Sequence, residues 1–286
     1  MNVYHAKSTI TPVIDMSPFW QKPPSEPGPS TVTKLIGDAC EHMGFFIIVN
    51  HRVPPQLISQ MQQVTQNYFD LPTHEKKKVP MTSEYPYGYS GNLDDTISRV
   101  HYQQHPHRSP DLNESFSIGP YNPGAGLPPI RWPTQPFNMK SVWLSYYQEM
   151  EQLASDLLSC FALALGLPKD WFEDKITHHR SALKALSYPA LPTTFQAAFE
   201  QLRAGVHTDY GTFTILLQDD MGGLHVQNRA REWISVPFIP GSFVINIGDL
   251  VLSPSLPIYC FFPYHQSRSC GPIHRNMCLI SQSSQI

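Results

Sequence analysis

Residues 207–250 read HTDYGTFTILLQDDMGGLHVQNRAREWISVPFIPGSFVINIGDL. Four short runs rich in β-branched and aromatic residues stand out: Thr212–Gln218, Leu224–Gln227, Trp233–Val236 and Ser242–Ile247. Asp219, Asp220, Gly222, Gly223, Pro240 and Gly241 punctuate them. Short strands at this spacing, separated by turn residues, predict a β-sandwich or barrel. The first three residues carry the candidate chemistry. In a strand, side chains i and i+2 share a face, so His207 and Asp209 aim an imidazole and a carboxylate at one point. That nitrogen and oxygen pair, joined by a second histidine from a distant strand, makes the facial triad that suits ferrous iron and leaves three coordination positions open. The tripeptide alone is weak evidence. With 13 histidines in the chain, chance supplies on the order of half a His-x-Asp match, and the bland alternative is a surface His and Asp beside a turn. The adjoining β-rich run is what favours the site.

Toward the N-terminus the pattern is helical. Pro12–Asp15 is a short strand-like start, and a Pro- and Ser-rich loop covers Pro23–Ser30. Ser30 is placed to cap a helix in which Val32, Leu35, Ile36, Ala39 and Met43 recur at helical spacing, with Gly44 as its stop. Phe45–Val49 (FFIIV) is an apolar run of strand length. A second helix starts near Pro54, carries Leu57, Ile58, Met61, Val64 and Phe69, and ends by Pro72. Residues 82–135, rich in Tyr, Pro, Gly and His, read as loops with short strands. The clearest helix spans Ser141–Leu165, where Trp143, Tyr146, Tyr147, Met150, Leu153, Leu157, Phe161 and Leu165 form one stripe. Gly166 and Pro168 end it. The expected class is mainly β with flanking helices (α+β).

Composition narrows the function. Apolar residues make up 41% of the 286 and charged residues 15%, the balance of a folded globular chain. A net charge of −3 offers no broad basic field, so nucleic acid is not an expected partner. No apolar run reaches the length of a membrane helix, and Met1–Thr11 lacks the apolar core of a signal peptide. The expected setting is a cytoplasmic monomer acting on a small molecule. The five cysteines, Cys40, Cys160, Cys260, Cys270 and Cys278, form no CxxC pair and read as reduced thiols.

The 207–250 segment resembles, almost throughout, the metal-binding core of the isopenicillin N synthase-like family of 2-oxoglutarate- and Fe(II)-dependent oxygenases. Other segments agree, in the family's order: PVIDMS (Pro12–Ser17), GFFIIVNH (Gly44–His51), YFDLPTHEKKK (Tyr68–Lys78), ESFSIG (Glu114–Gly119) and ALGLP (Ala164–Pro168). The resemblance covers roughly residues 10–250. It implies a double-stranded β-helix (jelly-roll) barrel with N-terminal helices packed on it. It also implies iron held by His207 and Asp209, 2-oxoglutarate as cosubstrate and O2 as oxidant. Tyr188, in SYPAL, occupies the place of a Tyr-Pro element that contacts the oxo acid in many members. Leu186 stands where the family often has an asparagine.

The tail departs from the pattern. After Asp249 there is no Asp or Glu, although all 23 lie before that point, and three of the five cysteines fall there. The family's third iron ligand follows the Gly-Asp pair by some 15 residues, and His265 lies 16 residues after Asp249. His274 competes for that role. Arg275 sits where the resemblance implies the arginine that pairs the far carboxylate of 2-oxoglutarate, a pairing that a buried carboxylate requires. The serine usually two residues beyond is Met277. The expected organisation is an N-terminal helical and loop region (1–135), a long helix with the jelly-roll core (136–250), and an atypical tail (251–286), disordered or truncated, that leaves the barrel incomplete.

The expected activity is hydroxylation, desaturation or ring closure of a small organic, secondary-metabolite substrate. The alternatives are a catalytically impaired or truncated member lacking the third ligand, and an oxidase that needs iron and O2 but no oxo acid. Remaining features have plain readings. His178-His179-Arg180 is a surface turn, His101, His105 and His107 are loop histidines, and Lys76–Lys78 is a solvated helix end. Trp132, Phe137 and Tyr121 are core aromatics or a substrate mouth, and Arg203 pairs with a substrate or a surface carboxylate.

Overall fold

The computed structural model describes residues 11–21, 30–91, 113–121, 126–188, 204, 207–209, 211–228 and 230–249, and the backbone of 277–283. Strand β1 (Val13–Asp15) leads through a short helix α1 (Ser17–Gln21) to α2 (Thr31–His42). Ser30 caps α2 by accepting a hydrogen bond from Thr33 N, and Gly44 at φ 73° turns the chain out of it. Then follow β2 (Phe45–Val49), α3 (Pro55–Phe69), α4 (Thr73–Lys76), β3 (Gly88–Ser90) and β4 (Glu114–Ile118). The 26-residue helix α5 (Met139–Ala164) precedes β5 (Ala182–Ser187), β6 (Phe213–Leu217), β7 (His225–Gln227), β8 (Trp233–Ser235), β9 (Phe243–Ile247) and β10 (Met277–Ser283).

Eight strands form one sheet in the order β1-β2-β9-β6-β10-β5-β4-β3, and β7 pairs with β8 in a separate hairpin. Among the described strand pairs of this sheet only β1–β2 is parallel; the others are antiparallel. The two faces do different work. Phe46, Phe116, Leu183, Phe213 and Ile245 pack with α2, α3 and α5 in the main core. The stripe on α5 is buried as its spacing predicts, and Trp143 meets Phe116 edge-on at 5.4 Å. Phe45, Ile47 and Val244 point the other way and pack under Val226 and Val236 of the hairpin region. By strict alternation Thr214, Asn246, Ser115 and Ser117 share this second face.

Three expectations change. Helices supply more of the described residues than strands do, so α+β fits better than mainly β, and the described strands form no closed barrel. The composition of the last 37 residues sets them apart, yet 277–283 supplies β10, seated between β5 and β6. Lys76 is not part of a solvated helix end. It is buried, and its Nζ donates to Glu114 Oε2 (2.6 Å) and to Phe69 O (2.9 Å), which ties α4 to β4. Lys77 and Lys78 are exposed. No helix among the described residues is long and apolar enough to cross a membrane.

Candidate metal centre

His207, Thr208 and Asp209 lie just before β6, in no strand ladder. Their placement therefore comes from ties to the end of β9 rather than from a pleat. Asp249 N donates to Asp209 O (2.8 Å), Gly248 N donates to Thr212 O (2.9 Å), and Thr208 Oγ1 donates to Asp249 Oδ2 (2.7 Å). Gly248 approaches so closely that a Cβ there would stand 2.0 Å from Gly211 O and 3.0 Å from Asp209 O. Only glycine permits that approach without moving backbone.

This frame brings the two candidate ligands together. His207 Nε2 lies 3.6 Å from Asp209 Oδ1. The other carboxylate oxygen is held: Asp209 Oδ2 accepts from Thr214 Oγ1 (2.5 Å) and from Asn246 Nδ2 (2.7 Å). Thr214 and Asn246 are direct partners across β6 and β9. Oδ1 is thus the oxygen presented toward the imidazole. The Asp209 side chain is 12% exposed and His207 40%. Two donors bound side by side to one octahedral ion at about 2.1 Å stand about 3 Å apart. The pair needs only a small adjustment, and an imidazole nitrogen beside a carboxylate oxygen is a donor set that fits ferrous iron.

The other expected residues fall as follows. Tyr188 is buried one residue past β5, and Leu186 pairs with Ser115 of β4 and Cys278 of β10. His265, His274, Arg275, Arg203 and the histidines at 101, 105 and 107 lie outside the described residues. Among the described residues no third His, Cys, Asp or Glu joins His207 and Asp209. His179 is structural: its ring faces Glu151 Oε1 at 3.0 Å and Ser181 Oγ at 3.0 Å. Trp132 packs against the core, whereas Phe137 and Tyr121 are exposed. Cys40 and Cys160 are free and buried, and burial raises both thiols well above their ordinary pKa. Sequence reasoning missed Thr214, Asn246 and the reason for Gly248. Its one available signal was a polar Asn246 inside the apolar run FVINI.

Comparison with known proteins gives two family matches. Residues 11–143 match the family described as non-haem dioxygenase in morphine synthesis, N-terminal, and residues 177–278 match the 2OG-Fe(II) oxygenase superfamily. The chain is 32% identical over 263 residues to homoarginine-6-hydroxylase 2-ODD-233 of Oryza sativa subsp. japonica, covering 87% of this chain and 78% of that protein. It is 28% identical to validamycin A dioxygenase of Streptomyces hygroscopicus subsp. limoneus, covering 84% and 67%. The fold superposes on a 2OG-Fe(II) oxygenase family protein from Caulobacter crescentus, with a TM-score of 0.79, 22% identity, and coverage of 96% of this chain and 87% of that one. It also superposes on a full-length Neurospora crassa protein crystallised in complex with alpha-KG, with a TM-score of 0.81, 23% identity, and coverage of 98% and 88%.

Proposed function

The chain belongs to the 2OG-Fe(II) oxygenase superfamily, and on that premise we propose that His207 and Asp209 are two of its iron ligands. It is an Fe(II)- and 2-oxoglutarate-dependent dioxygenase, with O2 as co-substrate, acting on a small organic substrate. A catalytically impaired member is not favoured. The observation that carries the ligand assignment is the convergence of His207 Nε2 on Asp209 Oδ1 while Thr214 and Asn246 occupy Oδ2. In this reading His207 binds through Nε2 and Asp209 through Oδ1. Thr214 and Asn246 stop the carboxylate from swinging, so it binds through one oxygen and leaves more of the coordination sphere open. Thr208, Gly248 and Asp249 fix the backbone that carries both ligands.

The bound iron and oxo acid supply the oxidising power: 2-oxoglutarate leaves as succinate and CO2, and O2 is consumed as the substrate is oxidised. His265 is the proposed third ligand, supported by its spacing from Asp249. Tyr188 and Arg275 are the proposed contacts to the oxo acid; Tyr188 is buried at the end of β5, and residue 275 lies two before β10. We take the eight-stranded sheet and the hairpin as the described part of a double-stranded β-helix, with residues 1–135, 136–250 and 251–286 as its helical, core and tail regions. The substrate is proposed to be a secondary metabolite.

The test is an anaerobic titration of Fe(II) into protein saturated with 2-oxoglutarate, followed by the weak visible charge-transfer band. Wild type develops the band at one equivalent, and His207→Ala and Asp209→Ala do not. Asn246→Ala weakens Fe(II) binding about 10- to 100-fold with the fold retained. His265→Ala and His274→Ala, compared directly, decide the third ligand. An undiminished band in Asp209→Ala removes the assignment.

A further inference from the structure

Ser90 and Ser115 are both buried, at 3% and 1% exposure, and among the described residues neither hydroxyl has a hydrogen-bond partner. Folded proteins rarely leave such groups unpaired, because each was stripped of water without compensation. Two of them stand side by side here. Ser90 is the direct cross-strand partner of Ser115 in the β3–β4 register, which places their Cβ atoms about 5 Å apart on one face.

The face is fixed by their neighbours. Tyr89 and Phe116 belong to the helix-side core, so alternation turns both hydroxyls to the opposite face. Thr214 and Asn246, which hold Asp209, lie on that same face of the same sheet. The next strand offers Ser115 only Leu186, which cannot satisfy it. One row along, Ser117 is paired with Lys184. The acid of β4, Glu114, belongs to the other face, where Lys76 holds it. The described strands β3, β4 and β5 therefore offer hydroxyl donors on this face, and no carboxylate.

We propose that Ser90 and Ser115 form a recognition pair for a hydrogen-bond-accepting oxygen, carboxylate or carbonyl, of the organic substrate. The proposal rests on the oxygenase reading above and names the substrate chemistry that reading leaves open. The two hydroxyls donate to the substrate oxygen, position the molecule on the metal-bearing face, and gain there the hydrogen bonds that the described residues do not give them. An apolar substrate would leave both unpaired, so the pair also discriminates against hydrocarbons.

The test uses full-length protein loaded with redox-silent Mn(II) and saturating 2-oxoglutarate, with three probes: 3-phenylpropanoate, 3-phenylpropanamide and isopentylbenzene. Binding is read by calorimetry or ligand-observed NMR. Wild type is expected to bind one or both oxygen-bearing probes more tightly than the hydrocarbon. Ser90→Ala and Ser115→Ala each weaken that binding about two- to tenfold while leaving 2-oxoglutarate affinity unchanged. The ligand-free melting temperature supplies an independent readout. Removing an unpaired buried hydroxyl leaves it unchanged or raises it, whereas removing a structural one lowers it. Lowered melting in both variants, no preference for the oxygen-bearing probes in wild type, or a preference that survives both substitutions overturns the pair's role. Failure of wild type to bind 2-oxoglutarate with Mn(II) overturns the oxygenase reading instead.

Discussion

Gly248→Ala tests how the site is held in place. The added Cβ would lie 2.0 Å from Gly211 O, 2.7 Å from Gly211 C and 3.0 Å from Asp209 O. All three are backbone atoms, so no side chain can swing aside. The gap to Gly211 O must open by about 1 Å or more to reach ordinary contact. Opening it strains two backbone hydrogen bonds, Gly248 N to Thr212 O and Asp249 N to Asp209 O. Each is worth about 1 kcal/mol net, and the overpacking costs about 1–3 kcal/mol, so the destabilisation is about 3–5 kcal/mol. At roughly 2–4 °C per kcal/mol for a chain of this size, the melting temperature falls by roughly 6–20 °C. The same displacement moves Asp209 away from Thr214 and Asn246, and Fe(II) affinity drops about 10- to 100-fold. Gly241→Ala is the control. Its φ of +67° makes alanine strained, but nothing lies within 4 Å of the new Cβ. It loses about 1–2 kcal/mol of stability and keeps full Fe(II) affinity. Differential scanning fluorimetry and the anaerobic Fe(II) titration read both effects. Wild-type Fe(II) affinity in Gly248→Ala, or equal Fe(II) losses in the two variants, would refute the reasoning.

Two further outcomes test the frame around the site. Lys76→Met leaves Glu114 buried without its counter-charge and lowers stability by about 3 kcal/mol; the double variant Lys76→Met/Glu114→Gln recovers most of it in urea unfolding, and equal single and double losses count against the pair. His51 is buried with Nε2 donating to Gly241 O (2.6 Å) and Nδ1 accepting from Val53 N (3.2 Å), and burial holds its pKa below 6.5. The unfolded chain therefore takes up the proton first, so His51's contribution is full above pH 6.5 and is lost as pH falls through the lower folded value. Urea unfolding from pH 7.5 to 5 shows this loss in wild type and a shallower one in His51→Gln; parallel curves exclude the role.

Local signals carried most of the helical half. Ser30 and Gly44 mark the ends of α2, and the apolar stripe from Trp143 to Leu165 marks α5, because caps and periodicity are set by residues within a few positions of one another. The strands of 212–247 were legible for the same reason. β5 (Ala182–Ser187) was less legible, because Lys184 interrupts its apolar character. Lys76 reads as one of three solvated lysines until α4 meets β4, where its partner is 38 residues away.

The candidate site divides along the same line. His207 and Asp209 are visible as a tripeptide, but the pleat argument for their convergence does not hold, because they sit outside the ladder. What aligns them is a pairing between segments 32 to 41 residues apart: Thr214 opposite Asn246, Gly248 bonded to Thr212, and Asp249 bonded to Thr208 and Asp209. The tripeptide chooses the donor atoms, whereas the register of β6 with β9 decides which carboxylate oxygen is free to bind. A one-residue slip of that register would turn Thr214 and Asn246 toward the helices and release Asp209 Oδ2. The Phe213, Ile215, Phe243 and Ile245 side chains prevent the slip, since it would carry them out of the main core. The apolar residues that fix the fold therefore also fix the orientation of the proposed ligand.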